Sequence, residues 1–279
     1  MPLQNLKIAF IGSGVMGEAM MKGLLNKNMV QPDQLFASDP HSERGKQLIA
    51  RYALNFTPHN EIAAKDADVV VLSVKPQVMS KALADIKGEL KSDVLILSIA
   101  AGVKLRKIIK GSGAKAVVRS MPNTPGQIGQ GITVWTATPE VTGEQRERAT
   151  AILGAMGETL FVEDEHYMDM ATALNGSGPA YIFLFMEALI DAGVHLGFSR
   201  QDSERLVLQT MKGSVEYALH SGLHPAQLRN QVTSPGGTSA EALYYFEKGG
   251  LRNVVSRAVW AAYKRSSALG GISDDDDED

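Results

Sequence analysis

From residue 7 to residue 162 the chain alternates short apolar runs with amphipathic stretches. The apolar runs at 7–11, 35–38, 69–74, 94–99, 117–119, 132–135 and 160–162 are predicted strands. Several are unbroken in Val, Ile and Leu, as expected for strands covered on both faces within a parallel sheet. The amphipathic stretches at 14–26, 42–50, 77–89, 104–109 and 142–156 are predicted helices. Strand and helix in alternation predict a doubly wound α/β domain with a mostly parallel sheet.

Beyond Val162 the strand-like runs cease and long helical patterns follow. Helices are expected over 167–175 and 180–196, flanking a break at Gly176-Ser177-Gly178-Pro179. The second is apolar nearly all round, the pattern of a helix in a large core or at a subunit interface. Ser199-x-x-Asp202 offers a capping box to the next helix, Pro225 suits the first turn of a short one, and 251–267 forms the last. The expected organisation is therefore an α/β domain over 1–163, an all-α domain over 164–273 and a solvated acidic tail over 274–279.

Composition narrows the class. With 44% hydrophobic and 21% charged residues the chain is an ordinary globular protein, and its 279 residues suit two domains. A formal charge of −3, with Lys and Arg scattered, supplies no basic field for nucleic acid. The absence of cysteine excludes disulfides, thiolate metal sites and a cysteine nucleophile, and no metal site is expected. No leader pattern precedes Lys7 and no uninterrupted apolar segment approaches a membrane span, so a cytoplasmic location without membrane contact is expected.

Candidate chemistry begins at Gly12-Ser13-Gly14-Val15-Met16-Gly17, which follows the first predicted strand and opens the first helix. In that context the first glycine makes a tight turn, the second admits a pyrophosphate to the backbone and the third lets helix pack on strand. The helix N-terminus then stabilises the anion without a basic side chain. Asp39 lies 22 residues past the third glycine, where a carboxylate accepts from a free ribose 2′-hydroxyl and favours NAD. Ser38 and Arg44 share its turn, and Arg44 has the planar fork that grips a 2′-phosphate, so the residues leave the choice of dinucleotide open. Further loops, Val74-Lys75-Pro76-Gln77, Ala100-Ala101-Gly102 and the proline-flanked Asn123-Thr124, fall at strand carboxyl ends, where such sheets bind ligands.

Together with Asn175-Gly176-Ser177-Gly178-Pro179-Ala180-Tyr181 and Val232-Thr233-Ser234-Pro235-Gly236-Gly237-Thr238-Ser239, these loops resemble pyrroline-5-carboxylate reductase from Lys7 to about Leu269. The Ser-Pro-Gly-Gly segment is the most specific part. The resemblance implies an N-terminal Rossmann domain and a C-terminal helical domain that interlocks with a second copy as a homodimer, with assembly of dimers open. It implies reduction of 1-pyrroline-5-carboxylate to proline, the last step of proline synthesis, with NADPH preferred and NADH usable. It places the phosphate loop, Val74-Lys75-Pro76 and Asn123 around the cofactor, with Asn60 near its adenosine half. Where the family has a threonine this chain has Ser239, which keeps the hydroxyl but loosens its rotamer.

An imine protonated on nitrogen is already electrophilic, so positioning and a carboxylate anchor suffice without a strong catalytic acid. Lys75 is expected to bind the substrate carboxylate or orient a proton-donating water, or else to be a solvated lysine. Ser177 is expected either to donate to substrate or to cap a helix starting at Pro179. The loop from Thr233 to Ser239, with Ser234, Gly236, Gly237 and the hydroxyls of Thr238 and Ser239, is expected to hold the substrate carboxylate, with a mere N-cap at Ser239 as the alternative. Two rivals remain: a 3-hydroxyacid dehydrogenase using Lys212 as base, and a non-catalytic dinucleotide- or pyridoxal-phosphate-binding regulator.

Overall fold

The computed structural model describes residues 2–272, with the backbone alone for 270–272; the predicted acidic tail lies outside the described residues. Eight strands form one sheet: β1 (Ile8–Ile11), β2 (Leu35–Ser38), β3 (Asn55–Thr57), β4 (Val69–Leu72), β5 (Leu95–Ser98), β6 (Val117–Met121), β7 (Gly131–Ala137) and β8 (Gly157–Phe161). Their spatial order is β3-β2-β1-β4-β5-β6-β7-β8. All neighbours pair in parallel except β6 and β7.

The unbroken apolar strands are explained by cover on both faces, with side chains alternating along each strand. On one face Ile8, Phe10, Val69, Val71, Leu95 and Leu97 pack with Met20, Met21 and Leu24 of α1 (Val15–Asn26), Leu48 of α2 (Ser42–Tyr52) and Ile152 and Leu153 of α6 (Gly143–Gly154). On the other, Ala9, Ile11, Val70, Leu72 and Ile96 meet α3 (Asn60–Ala64), α4 (Met79–Ile86) and α5 (Leu105–Ser112). Crossovers leave β1 for β2 and β4 for β5 in opposite directions, so a crevice opens outside the carboxyl ends of β1 and β4, the switch point at which such sheets bind ligands. The short edge strand β3 and the single-turn helix α3 are additions to the predicted elements.

The chain divides into two compact units, one up to Ser177 together with the chain from Ala262 onward, the other Gly178–Ala261. The predicted break at Gly176-Ser177-Gly178-Pro179 is overturned. α7 (Tyr167–Ala171) is followed by a π turn, Thr172–Gly176, then by Ser177 with helical φ and ψ, and then by α8 (Gly178–His195). The Ser177 N–H donates to the Thr172 carbonyl, five residues back, at 2.9 Å. A π turn accommodates an extra residue without leaving the helix, which is how glycine and proline are tolerated there. The fused helix, Tyr167–His195, is long and apolar enough to cross a membrane by length and composition, at a mean hydropathy of 1.2, a length that the two separate expected segments lacked.

In the second unit α8 and α9 (Arg200–Ser221) form a hairpin, followed by α10 (Pro225–Gln231), α11 (Thr238–Lys248) and the first half of α12 (Leu251–Ile272). The predicted Ser199 cap is present, its hydroxyl accepting from the Asp202 N–H at 3.1 Å. Close approach of the hairpin rests on Gly193, where a Cβ would lie 2.1 Å from the Ser203 hydroxyl.

Candidate active site

Backbone geometry assigns a separate reason to each glycine of the first loop. Gly12 has φ +90°, and a Cβ there would sit 2.7 Å from Val74 Cγ1 and 2.9 Å from the Ser73 carbonyl oxygen. At Gly17 a Cβ would lie 2.9 Å from the Gly12 carbonyl, so this glycine lets α1 pack on the turn. Gly14 has ordinary φ and nothing within 4 Å, so only open space stands where its side chain would be. No side chain caps α1, and the Glu18 N–H to Gly14 carbonyl bond, 2.9 Å, already belongs to the first helical turn. The first-turn N–H groups before it lack helical acceptors, and the exposed Val15 leaves them open. This cradle fits a pyrophosphate group: unpaired donors, a helix N-terminus and space over Gly14.

Beyond the end of β2, Asp39 in the turn and Arg44 in the first turn of α2 are both committed to the phosphate loop. Asp39 takes the N–H and hydroxyl of Ser13 on one oxygen (3.4 and 3.1 Å) and the N–H and ring of His41 on the other (3.0 and 2.9 Å). Burial alone would raise its pKa, but the hydrogen bonds from His41 and Ser13 outweigh burial and hold the carboxyl below its ordinary value. A carboxylate offers about four acceptor positions, and here four donors fill them. Arg44 donates from Nε to the Ser13 carbonyl at 2.8 Å and from its terminal nitrogen to Glu18. Glu18 also receives Arg51 and the Tyr52 hydroxyl, the latter at 2.8 Å. Burial again opposes ionisation, and the bonds from Arg44 and Tyr52 overcome it, leaving Glu18 with a lowered pKa.

A cleft of about 380 Å³ opens beside this loop. Of the predicted residues it is lined by Gly12, Ser38, Asn60 and Val74, joined by Pro40, Pro58, Val78, Lys81, Ala82 and Asp85. The Ser38 hydroxyl donates to Asn60 Oδ1 at 2.7 Å, and Asn60 Nδ2 donates to Asp85 at 2.9 Å. The amide is thus fixed from both ends. Lys75 and Pro76 are exposed on the turn after β4, where Lys75 caps a short 3₁₀ segment, Pro76–Val78. Ala100, Ala101 and Gly102 follow β5, with Gly102 at φ +74° making the turn. Asn123 Oδ1 accepts the Ile132 N–H at 3.0 Å, so its amide fastens the proline loop to β7.

Where the π turn passes the ends of β6 and β7, Asn175 Nδ2 donates to the carbonyls of Met121 and Ile132, each at 3.1 Å. Its Oδ1 is buried without a partner among the described residues. Ser177 has helical φ and ψ (−83°, −19°) and lies within the continuous helix, so the expectation that it caps a helix at Pro179 fails. In the second unit, Gly236 has φ +68° and the Gly237 N–H donates to the Ser234 carbonyl at 3.0 Å, a tight turn leading into α11. Gly237, not Ser239, is the N-cap, and no side chain caps the helix. Thr238 and Ser239 occupy its first two positions, so the N-cap alternative for Ser239 is overturned; the glycine turn ends the loop two residues sooner. Glu18, Asp85 and Lys81 escaped sequence reasoning. For Glu18 a signal existed: Arg44 and Arg51, seven apart, share one face of α2, and such a face calls for a counter-charge.

A family model described as pyrroline-5-carboxylate reductase dimerisation matches residues 165–269, and one described as NADP oxidoreductase, coenzyme F420-dependent, matches 7–102. The chain is 40% identical to the pyrroline-5-carboxylate reductase of Synechocystis sp., over 95% of this chain and 99% of that one. It is 42% identical to the Pseudomonas aeruginosa enzyme of the same name, over 94% and 96%. The crystal structure of Plasmodium falciparum pyrroline carboxylate reductase with NADP bound superposes with a TM-score of 0.87 at 37% identity, covering 96% and 99% of the two chains. Similarity of this degree along nearly the whole length shows that the chain belongs to the pyrroline-5-carboxylate reductase family.

Proposed function

We propose that this protein reduces 1-pyrroline-5-carboxylate to L-proline, the closing step of proline synthesis, as a cytoplasmic homodimer that prefers NADPH and also accepts NADH. The observation that carries the reading is the phosphate cradle at Gly12–Gly17, set in a chain related to these reductases over nearly its full length. When bound, the dinucleotide supplies the hydride. The chain's part is to bind and orient. The open N–H groups from Gly14 to Gly17 take the pyrophosphate, and Asn60, held between Ser38 and Asp85, faces the cleft expected to take the adenosine half. Preference for NADPH is supported by Asp39: with its acceptor positions filled by Ser13 and His41, it has little left for a ribose 2′-hydroxyl.

For the substrate, the N-terminus of α11 offers the N–H groups of Thr238 and Ser239 and two hydroxyls that no cap consumes, a fit for a carboxylate. The Ser177 hydroxyl, freed from capping, donates to substrate, and the exposed Lys75 orients the substrate carboxylate or a proton-donating water. No strong acid is required, because an iminium carbon is electrophilic without one. The dehydrogenase rival loses its base: Lys212 is exposed and pairs with Glu216 at 3.8 Å. The test is dinucleotide oxidation followed spectrophotometrically with 1-pyrroline-5-carboxylate, beside 3-hydroxyacid controls. Turnover with the imine alone is expected; no turnover with NADPH or NADH would overturn the proposal.

A further inference from the structure

Glu18 stands in an electrostatically awkward place. It occupies the first turn of α1, whose N-terminal donors form the phosphate cradle, so a bare carboxylate there would repel the pyrophosphate that the cradle fits. Two arginines and a tyrosine from α2 converge on it: Arg44 on one oxygen, Arg51 and Tyr52 on the other. Its side chain is only 16% exposed, against 22% for Arg44 and 59% for Arg51. The pairing therefore neutralises Glu18, but it also fixes Arg44. One edge of that guanidinium is spent on Glu18 and the Ser13 carbonyl together. The same Ser13 donates its N–H and hydroxyl to Asp39, the residue marking the ribose end of β2, so Arg44 lies beside the expected place of a 2′-phosphate with one edge of its fork already engaged.

We propose that Glu18 is a specificity-determining positioning residue: by holding Arg44 on the Ser13 carbonyl it restrains the guanidinium from a 2′-phosphate and so limits the preference for NADP(H) over NAD(H). The inference rests on the reading that the cradle binds a nicotinamide dinucleotide. The pyrophosphate is common to both cofactors and the 2′-phosphate is not, so a change confined to the ratio of affinities isolates the restraint. Glu18→Gln keeps the shape and removes the charge that holds Arg44.

The experiment measures equilibrium binding of NADP⁺ and NAD⁺ by calorimetry for the wild type, Glu18→Gln, Arg44→Ala, Glu18→Gln with Arg44→Ala, and Arg51→Gln. Glu18→Gln is expected to raise the NADP⁺ to NAD⁺ affinity ratio about twofold to fivefold, the size of one partly exposed charge pair. The double variant is expected to lose that gain, because the gain passes through Arg44. Arg51→Gln, which leaves Glu18 to Arg44, is expected to lower the ratio, and it decides the matter if Glu18→Gln does not fold. An unchanged ratio in Glu18→Gln, or equal loss for both nucleotides, would show a merely structural role and overturn the inference; so would a gain that survives Arg44→Ala, or a raised or unchanged ratio in Arg51→Gln. Wild-type protein binding neither nucleotide would sink the cofactor reading itself and this inference with it, an outcome distinct from binding with an unaltered ratio.

Discussion

At Gly12 and Gly14, two residues apart, substitution separates folding from ligand binding. Gly12→Ala forces a side chain into φ +90° and against Val74 and the Ser73 carbonyl, so it is expected to cost ~2 kcal/mol or more in unfolding free energy. Gly14→Ala meets no protein atom, and is expected to leave Tm unchanged while weakening dinucleotide binding at least about tenfold, since the new methyl stands where pyrophosphate must approach. Equal binding by Gly14→Ala and wild type would remove the pyrophosphate from this loop. Ser239→Ala and Thr238→Ala allow a similar separation on α11. Because neither hydroxyl caps the helix, neither variant should lose the ~1 kcal/mol of a lost N-cap. The one that donates to the substrate carboxylate should instead lose roughly tenfold to a hundredfold in kcat/KM. The glycines were legible in the sequence because each answers a backbone demand that no other residue meets. The partners of Asp39 and Arg44 were not, since both side chains turn to Ser13 across 26 and 31 residues of chain, which no local pattern encodes.

At the scale of elements, charged side chains lock α1, α2 and the loop between β2 and α2 together, and this makes their docking pH-dependent. Asp39 and Glu18 both have folded-state pKa values below their ordinary ones. A depressed carboxyl contributes stability that is present above its unfolded pKa, about 4, and is lost as pH falls through the lower folded value. Acid unfolding below about pH 4 should therefore be less steep in Asp39→Asn than in the wild type, as urea titrations across that range would read. An identical slope would remove Asp39 from the acid transition. The π turn is the second element-scale device. Asn175→Ala strips a donor from the carbonyls of Met121 and Ile132 and is expected to cost about 1–3 kcal/mol. Sequence periodicity showed seven strands and missed β3 and α3, whose three and five residues are too short to repeat a pattern; β3 is defined by its pairing with β2. It also separated α7 from α8 at Pro179, because the wider π hydrogen bonding that carries the helix past proline leaves no composition of its own.

For the molecule as a whole, the second unit poses a burial problem that its own residues do not solve. Along α8, Ile182, Phe183 and Leu184 are 48, 57 and 67% exposed, and Leu206, Val215 and Leu219 of α9, Tyr244 and Tyr245 of α11 and Val254 of α12 are exposed as well. Exposed large apolar side chains on all four of these helices mark an interaction surface, and they lie within the match to the dimerisation family, 165–269. Two kinds of surroundings would cover it, lipid or protein. The exposed charges between the apolar residues, with the Arg200–Asp191 and Lys212–Glu216 pairs on α8 and α9, suit a partner with polar contacts better than a hydrocarbon interior. Covered by a second copy, the unit gains the core it lacks, and folding of the helical half becomes linked to association. Tm should then rise with protein concentration. Phe183→Glu, which places a charge among the exposed apolar residues of α8, should shift sedimentation from dimer toward monomer while the first unit, with its own buried cores, keeps its fold and its dinucleotide binding. A wild type that sediments as a monomer at micromolar concentration, with a Tm independent of concentration, would contradict the dimer and leave the apolar face of α8 to be explained by lipid.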